Sequence, residues 1–161
     1  MEGIRDMMKV RGRPLTGAVP KPKVGFTAEE HAEVGYETWM GGFDFVKDDE
    51  NLTSQPFNRF EDRVRAMAKM RDKAEQETGD VKSAFINITA ETEVMKQRAK
   101  MLADYGWNYA MIDVVVAGTA AVATSGTTAP TSGLLSTPTG RCTRPSTVTR
   151  GTGSRCSSWR R

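Results

Sequence analysis

An α/β fold with parallel strands is what this sequence predicts, on three observations. Short β-compatible runs alternate with longer amphipathic stretches, one helix-like stretch separates each pair of successive strands, and glycines stand where the helices should stop. Strands joined through a helix pair in parallel by right-handed crossovers.

The elements follow in chain order. Residues 18–24, bounded by Gly17 and Gly25, read as a first strand despite Pro20 and Pro22. Thr27 with Glu30 three residues later forms a capping-box signature; apolar Val34, Tyr36 and Trp39 follow, and Gly41-Gly42 ends the helix. Residues 43–46 form a second strand that runs into Lys47-Asp48-Asp49-Glu50. A second helix over 60–79 carries Val64, Met67, Ala68 and Met70 on one side, with Gly79 at its end. Residues 84–88 make a third strand. A third helix over about 91–105 has Val94, Met95, Ala99 and Leu102, with Gly106 just past it. Residues 109–116 make a fourth strand. Four strands and three helices fit either a small open sheet or part of a (β/α)8 barrel. No G-x-G-x-x-G or Walker A sequence follows a strand, which weighs against a nucleotide-binding doubly wound sheet.

Composition narrows the function classes. The 161 residues carry 23 Lys+Arg and 20 Asp+Glu, a formal +3, but the charges are segregated. Residues 1–113 hold all 20 acids and 17 of the bases, a net −3; the remaining 48 residues hold six arginines (141, 144, 150, 155, 160 and 161) and no acid. No apolar run approaches the ~20 residues of a membrane span. Residues 1–10 lack the apolar core of a secretory signal, so the expected address is cytoplasmic. Cys142 and Cys156 match neither a CxxC nor a Cys/His metal spacing.

Two strings at strand ends carry chemistry. In Lys21-Pro22-Lys23 the lysines at i and i+2 project to one face of an extended chain. Two ammonium groups side by side suit an anion between them, a phosphate or a developing enolate; the alternative is a pair of surface lysines. In Lys47-Asp48-Asp49-Glu50, Lys47 and Asp49 share a face and Glu50 lies at the strand exit, where barrel active sites lie. Two carboxylates beside an amine are a weak Mg2+ signal, and a solvated charge run is the plain alternative. His31 reads as a solvent-facing helix residue, and Gly151-Thr152-Gly153 as a loop.

Taken with Gly42-Phe43-Asp44-Phe45-Val46 before the charged string and Asn51 and Ser54-Gln55-Pro56-Phe57 after it, these strings closely resemble the large subunit of ribulose-bisphosphate carboxylase. The wording of residues 19–25 and 57–63 is similar to the archaeal, form III branch. The resemblance covers residues 13–122. It implies that the fold is the first half, about four βα units, of a (β/α)8 barrel. It further implies that Lys47 is catalytic as the lysine carbamylated by CO2, and that Lys47, Asp49 and Glu50 hold Mg2+. Lys21, also catalytic, and Lys23 face the substrate, ribulose 1,5-bisphosphate. In that chemistry an enediolate of the sugar attacks CO2 (or O2), and the carboxylated product is cleaved to 3-phosphoglycerate. Homodimers or higher oligomers are the implied assemblies.

The charge arithmetic is consistent with a carbamate. One ammonium and two carboxylates carry a formal −1; with a carbamate in place of the ammonium the set carries −3 and offers three hard oxygens. An ordinary lysine, with a pKa near ~10.4, is neutral about once in a few thousand at pH 7, at a cost of roughly 4–5 kcal/mol. Metal capture of the carbamate must offset that cost, so CO2 and Mg2+ should bind interdependently.

Residues 123–161 depart from the family. They are dominated by Thr, Ser, Gly, Pro and Arg, show no periodicity, and read as a disordered, non-homologous tail. Joining the last base of each codon to the first two of the next lets residues 136–143 encode Ile-His-Ala-His-Arg-Ala-Met-His, the family's next strand, so the tail is expected to be out-of-frame translation. The family's N-terminal domain, later strands and phosphate-binding glycines are expected to be missing, leaving a fragment inactive by itself. The competing readings are a carboxylase-like enolase acting on another sugar phosphate, and a non-catalytic protein whose basic tail binds polyanions. Because the charges are segregated, the overall pI is no evidence for a nucleic-acid partner.

Overall fold

The computed structural model describes residues 2–128, 133–137 and 146–147. The described elements are α1 (Glu2–Met7), β1 (Gly17–Ala18), α2 (Ala28–Met40), β2 (Phe45–Lys47), α3 (Phe60–Thr78), β3 (Ser83–Asn87), α4 (Thr92–Asp104), β4 (Tyr109–Asp113), α5 (Val114–Ala117), α6 (Thr119–Thr128), β5 (Gly133–Thr137) and β6 (Ser146–Thr147). The strands lie side by side in chain order, β1 to β6, and every pairing from β1 to β5 is parallel. This is the βαβαβαβ order expected. No helix among the described residues is long and apolar enough to cross a membrane.

The helix ends form for the local reasons anticipated. Thr27 N–H donates to Glu30 Oε2 at 2.8 Å and Glu30 N–H donates to Thr27 Oγ1 at 3.2 Å, which closes the capping box of α2. After α4, Gly106 takes a left-handed φ of 74°; its N–H donates to Ala103 O and the Trp107 N–H to Leu102 O, a Schellman ending.

Several elements differ from expectation. The first strand shrinks from residues 18–24 to Gly17–Ala18, because Pro20 and Pro22 have no N–H to give to a ladder. Residues 21–25 are therefore loop, and the alternation that placed Lys21 and Lys23 on one strand face does not apply to them. The fourth strand stops at Asp113, whose carboxylate accepts the Val115 and Val116 N–H groups and starts α5 in place of a longer strand. α1 was not anticipated. β5 and β6 lie where no periodicity is visible, and β5 pairs with all five residues of β4. A ladder needs only backbone groups, so a sequence with no strand pattern can still supply one. The remainder of the expected tail lies outside the described residues, and α6 spans the anticipated boundary at 122.

The sheet has two unlike faces. Against α2, α3 and α4 it presents Val46, Ala84, Ile86, Ala110 and Ile112, which form the main core with Trp39, Phe60, Val64, Met67, Met95, Leu102 and Trp107. On the opposite face Phe45, Phe85 and Tyr109 meet at ring-centre distances of 4.7, 5.3 and 5.9 Å, and Met8, Ile4 and Met7 from the N-terminal segment pack on them. Gly35 sets the α2–α3 approach: a Cβ there would lie 3.0 Å from Met67 Sδ. That closeness brings His31 of α2 and Arg63 of α3 over the same end of β2.

Candidate metal centre

β2 ends in a string whose side chains part to opposite sides of the sheet. On the side away from the helices, Lys47 Nζ donates to Glu50 Oε1 at 2.8 Å and to the Asp48 carbonyl at 2.9 Å. Lys21 reaches across from the loop after β1, its Nζ 2.5 Å from Asp49 Oδ2. Each of the two carboxylates expected to hold a metal thus faces one lysine ammonium. Burial pushes the Asp49 carboxyl up, but the hydrogen bond from Lys21, the Asn51 N–H and the charges of Lys21 and Lys23 outweigh it, leaving Asp49 below the usual carboxylate range. Burial likewise pushes the Glu50 carboxyl up, and the hydrogen bond and charge of Lys47, with a backbone N–H, outweigh it and leave Glu50 below the usual carboxylate range. Both stay ionised near neutrality. Lys23 is exposed and acts here through its field.

Asp48 turns the other way and is buried to 1% exposure. Its Oδ1 accepts from His31 Nε2 at 3.1 Å; its Oδ2 accepts from Arg63 Nε and from the Asn87 N–H, both at 3.0 Å. A carboxylate only accepts, so Nε2 is the protonated nitrogen of His31. Burial raises the Asp48 carboxyl, yet the Arg63 charge, His31 and Asn87 together hold it below the usual range. Arg63 spends its remaining donors on the Asn58 side chain and on the Asn58, Leu52 and Thr53 carbonyls, tying down the loop that follows Glu50.

The expectation that His31 faces solvent is corrected: it is 3% exposed. The buried stripe of α2 is Ala28, His31, Ala32, Gly35 and Trp39, a helical spacing on which His31 falls, whereas Val34 and Tyr36 sit at its margin. That spacing was the available signal. Arg63 was missed as well, although it lies next to Val64 and four residues before Met67 on the buried side of α3.

The donor set fits Mg2+ under one condition. Asp49 and Glu50 offer hard oxygens, and among the described residues no group of three or more His, Cys, Asp or Glu forms a metal site. A third hard oxygen must come from another group, and the Lys47 nitrogen, already in contact with Glu50, is the atom that a carbamate would use.

Comparison with known proteins places the chain in a family. Residues 1–152 match the family model for the ribulose bisphosphate carboxylase large chain, catalytic domain. The chain is 55% identical over 122 residues to the ribulose bisphosphate carboxylase of Pyrococcus horikoshii, covering 76% of this chain and 28% of that one. To the carboxylase of Methanocaldococcus jannaschii it is 57% identical, covering 76% and 29%. It therefore spans less than a third of the length of these relatives. Among solved structures, octameric ribulose-1,5-bisphosphate carboxylase/oxygenase from P. horikoshii superposes with a TM-score of 0.78 at 48% identity, over 84% of this chain and 32% of that one. A rubisco-like protein from Burkholderia fungorum superposes with a TM-score of 0.82 at 28% identity, over 85% and 34%. With nearly its whole length matched by the family model and a parallel α/β sheet that superposes on archaeal members, the chain belongs to the ribulose bisphosphate carboxylase large-chain family.

Proposed function

We propose that this segment supplies the metal-holding part of a ribulose-1,5-bisphosphate carboxylase site. The observation that carries the reading is the pairing at the exit of β2, Lys47 with Glu50 and Lys21 with Asp49. In this reading the neutral Lys47 amine attacks CO2, forming an N–C bond and releasing one proton, and the resulting carbamate joins Asp49 and Glu50 as a Mg2+ ligand. When bound, Mg2+ supplies a Lewis acid for the substrate carbonyl. Lys21, which pairs with Asp49, and Lys23 would meet the negative charge of the sugar bisphosphate and of its enediolate. CO2 or O2 is the second substrate.

The 49–57% identity to carboxylases, against 28% to the rubisco-like neighbour, favours carboxylation over a related enolisation. We read these residues alone as binding metal without turnover, and as assembling, in their full context, into dimers or larger oligomers; the proposed address is cytoplasmic. Residues 123–161 are read as out-of-frame translation, which sequencing of the encoding DNA decides: an alternative frame that does not encode further barrel sequence removes that reading.

The test of the site is calorimetric Mg2+ titration with and without bicarbonate, alongside 13C NMR of the chain under 13CO2. Mg2+ uptake that needs bicarbonate, a carbamate resonance, and loss of both in Lys47→Arg are expected. Bicarbonate-independent uptake, or none, overturns the reading.

A further inference from the structure

The parallel ladder between β2 and β3 ends at Lys47↔Phe85, followed by a last backbone bond from the Asp48 N–H to Phe85 O. Beyond it the chain turns, and the Asp49 and Glu50 carbonyls lose the strand partners that would have satisfied them. Buried carbonyls rarely go unpaired. Within the turn Asp49 O accepts the Leu52 N–H at 3.0 Å, and one side chain spans both carbonyls: Asn87 Nδ2 donates to Asp49 O at 3.2 Å and to Glu50 O at 2.9 Å. Its orientation is unambiguous, because Asn87 Oδ1 accepts from the Thr89 N–H at 3.0 Å and a flipped amide would set donor against donor and acceptor against acceptor. Asn87 is fully buried, and its own N–H is held by Asp48 Oδ2.

We infer that Asn87 is a positioning residue for the metal ligands: its amide fixes the two peptide planes from which the Asp49 and Glu50 carboxylates project. Asp48, clamped by Arg63 and His31, in turn fixes the backbone of Asn87. The inference rests on the proposed metal-binding reading, but concerns a residue that touches neither metal nor substrate. Supports of this kind typically tune metal affinity by 10–100-fold.

The test compares Asn87→Asp, Asn87→Ala and Thr89→Val in the 161-residue chain. Asn87→Asp keeps the shape but turns an oxygen toward two carbonyl oxygens; Asn87→Ala removes the donors without adding repulsion. Thr89→Val deletes an equally buried hydrogen bond, from the Asp113 N–H at 2.8 Å, that does not involve Asp49 or Glu50. Circular dichroism reports folding, and Mg2+ titration with bicarbonate and the 13C carbamate signal report the site. Expected are native dichroism in at least one Asn87 variant, Mg2+ affinity lowered by about tenfold or more with a weakened carbamate signal, and Thr89→Val within about twofold of the unmodified chain. The inference is overturned if folded Asn87 variants keep unmodified affinity, if Thr89→Val loses as much, or if both Asn87 variants lose native dichroism. Absence of bicarbonate-dependent uptake in the unmodified chain overturns the metal reading itself, and this inference with it.

Discussion

Lys47, Asp48, Asp49 and Glu50 are neighbours in sequence with contrasting surroundings. Asp48 lies on the helix side, enclosed by His31, Arg63 and Asn87, with its charge met on both oxygens. Lys47, Asp49 and Glu50 lie on the other side, where each carboxylate meets one lysine: Glu50 meets Lys47, and Asp49, which also accepts the Asn51 N–H, meets the exposed Lys21. The pleat sends Asp48 to the face opposite Lys47, and the turn after the strand brings Glu50 back beside Lys47. One kind of side chain thus has two settings: Asp48 is held at the strand end by His31, Arg63 and the Asn87 N–H, whereas Asp49 and Glu50 each face a lysine.

The largest effect is expected from breaking the buried side. Arg63→Met leaves Asp48 buried without its main counter-charge and should cost about 3–5 kcal/mol in urea unfolding. A cost below about 1 kcal/mol would mean that water or rearrangement replaces the guanidinium.

Acid should act through the buried carboxylates, each with the same sign. Asp44, held by Arg13 and Thr16, and Asp48 both sit below the ordinary carboxylate range. Their contribution to stability is complete above the unfolded-state value of about 4 and is lost as pH falls through their lower folded values. Thermal melts should therefore be flat from pH 7 to about 5 and fall steeply below about 4; a melting temperature unchanged at low pH would contradict the lowered values.

On the Lys47 side, Asp49→Asn should leave the unfolding midpoint nearly unchanged while weakening bicarbonate-dependent Mg2+ uptake by tenfold or more, on the order of 1.4 kcal/mol. Equal effects on folding and on metal would erase the contrast between the two sides. Thr27→Ala, which opens the capping box of α2, should cost about 1 kcal/mol by thermal denaturation. The smallest effect concerns Tyr109, whose buried hydroxyl has no hydrogen-bond partner among the described residues. Tyr109→Phe removes an unsatisfied group and should leave the melting temperature equal or slightly higher.

Much of the architecture was legible because its signals are local. The capping box at Thr27, the glycines after α3 and α4, and the strand–helix alternation depend on residues within one turn of each other. The charged string at the end of β2 was legible too, both as chemistry and as a family resemblance. What sequence could not show was long-range. His31 and Arg63 read as surface residues by type, and only Asp48, 17 and 15 residues away, makes their burial affordable. The extent of β1 was misjudged because its apolar residues were weighed above two prolines, and α1 was missed although Ile4, Met7 and Met8 have helical spacing. Asn87 gave no signal at all, since its role exists only where two strands end unevenly.

The ring cluster of Phe45, Phe85 and Tyr109 has a consequence for how such a protein can change. Each aromatic residue enters its strand before the polar end, and Lys47 and Asn87 lie two residues further on from Phe45 and Phe85, roughly 7 Å along the strand. The cluster is a floor beneath the charged residues, sealed from below by Met7 and Met8. Height along the strand therefore separates two kinds of tolerance. Loops above the floor can be rewritten for a new substrate with the packing below left intact, and the floor can be repacked in size and shape with no ligand being touched.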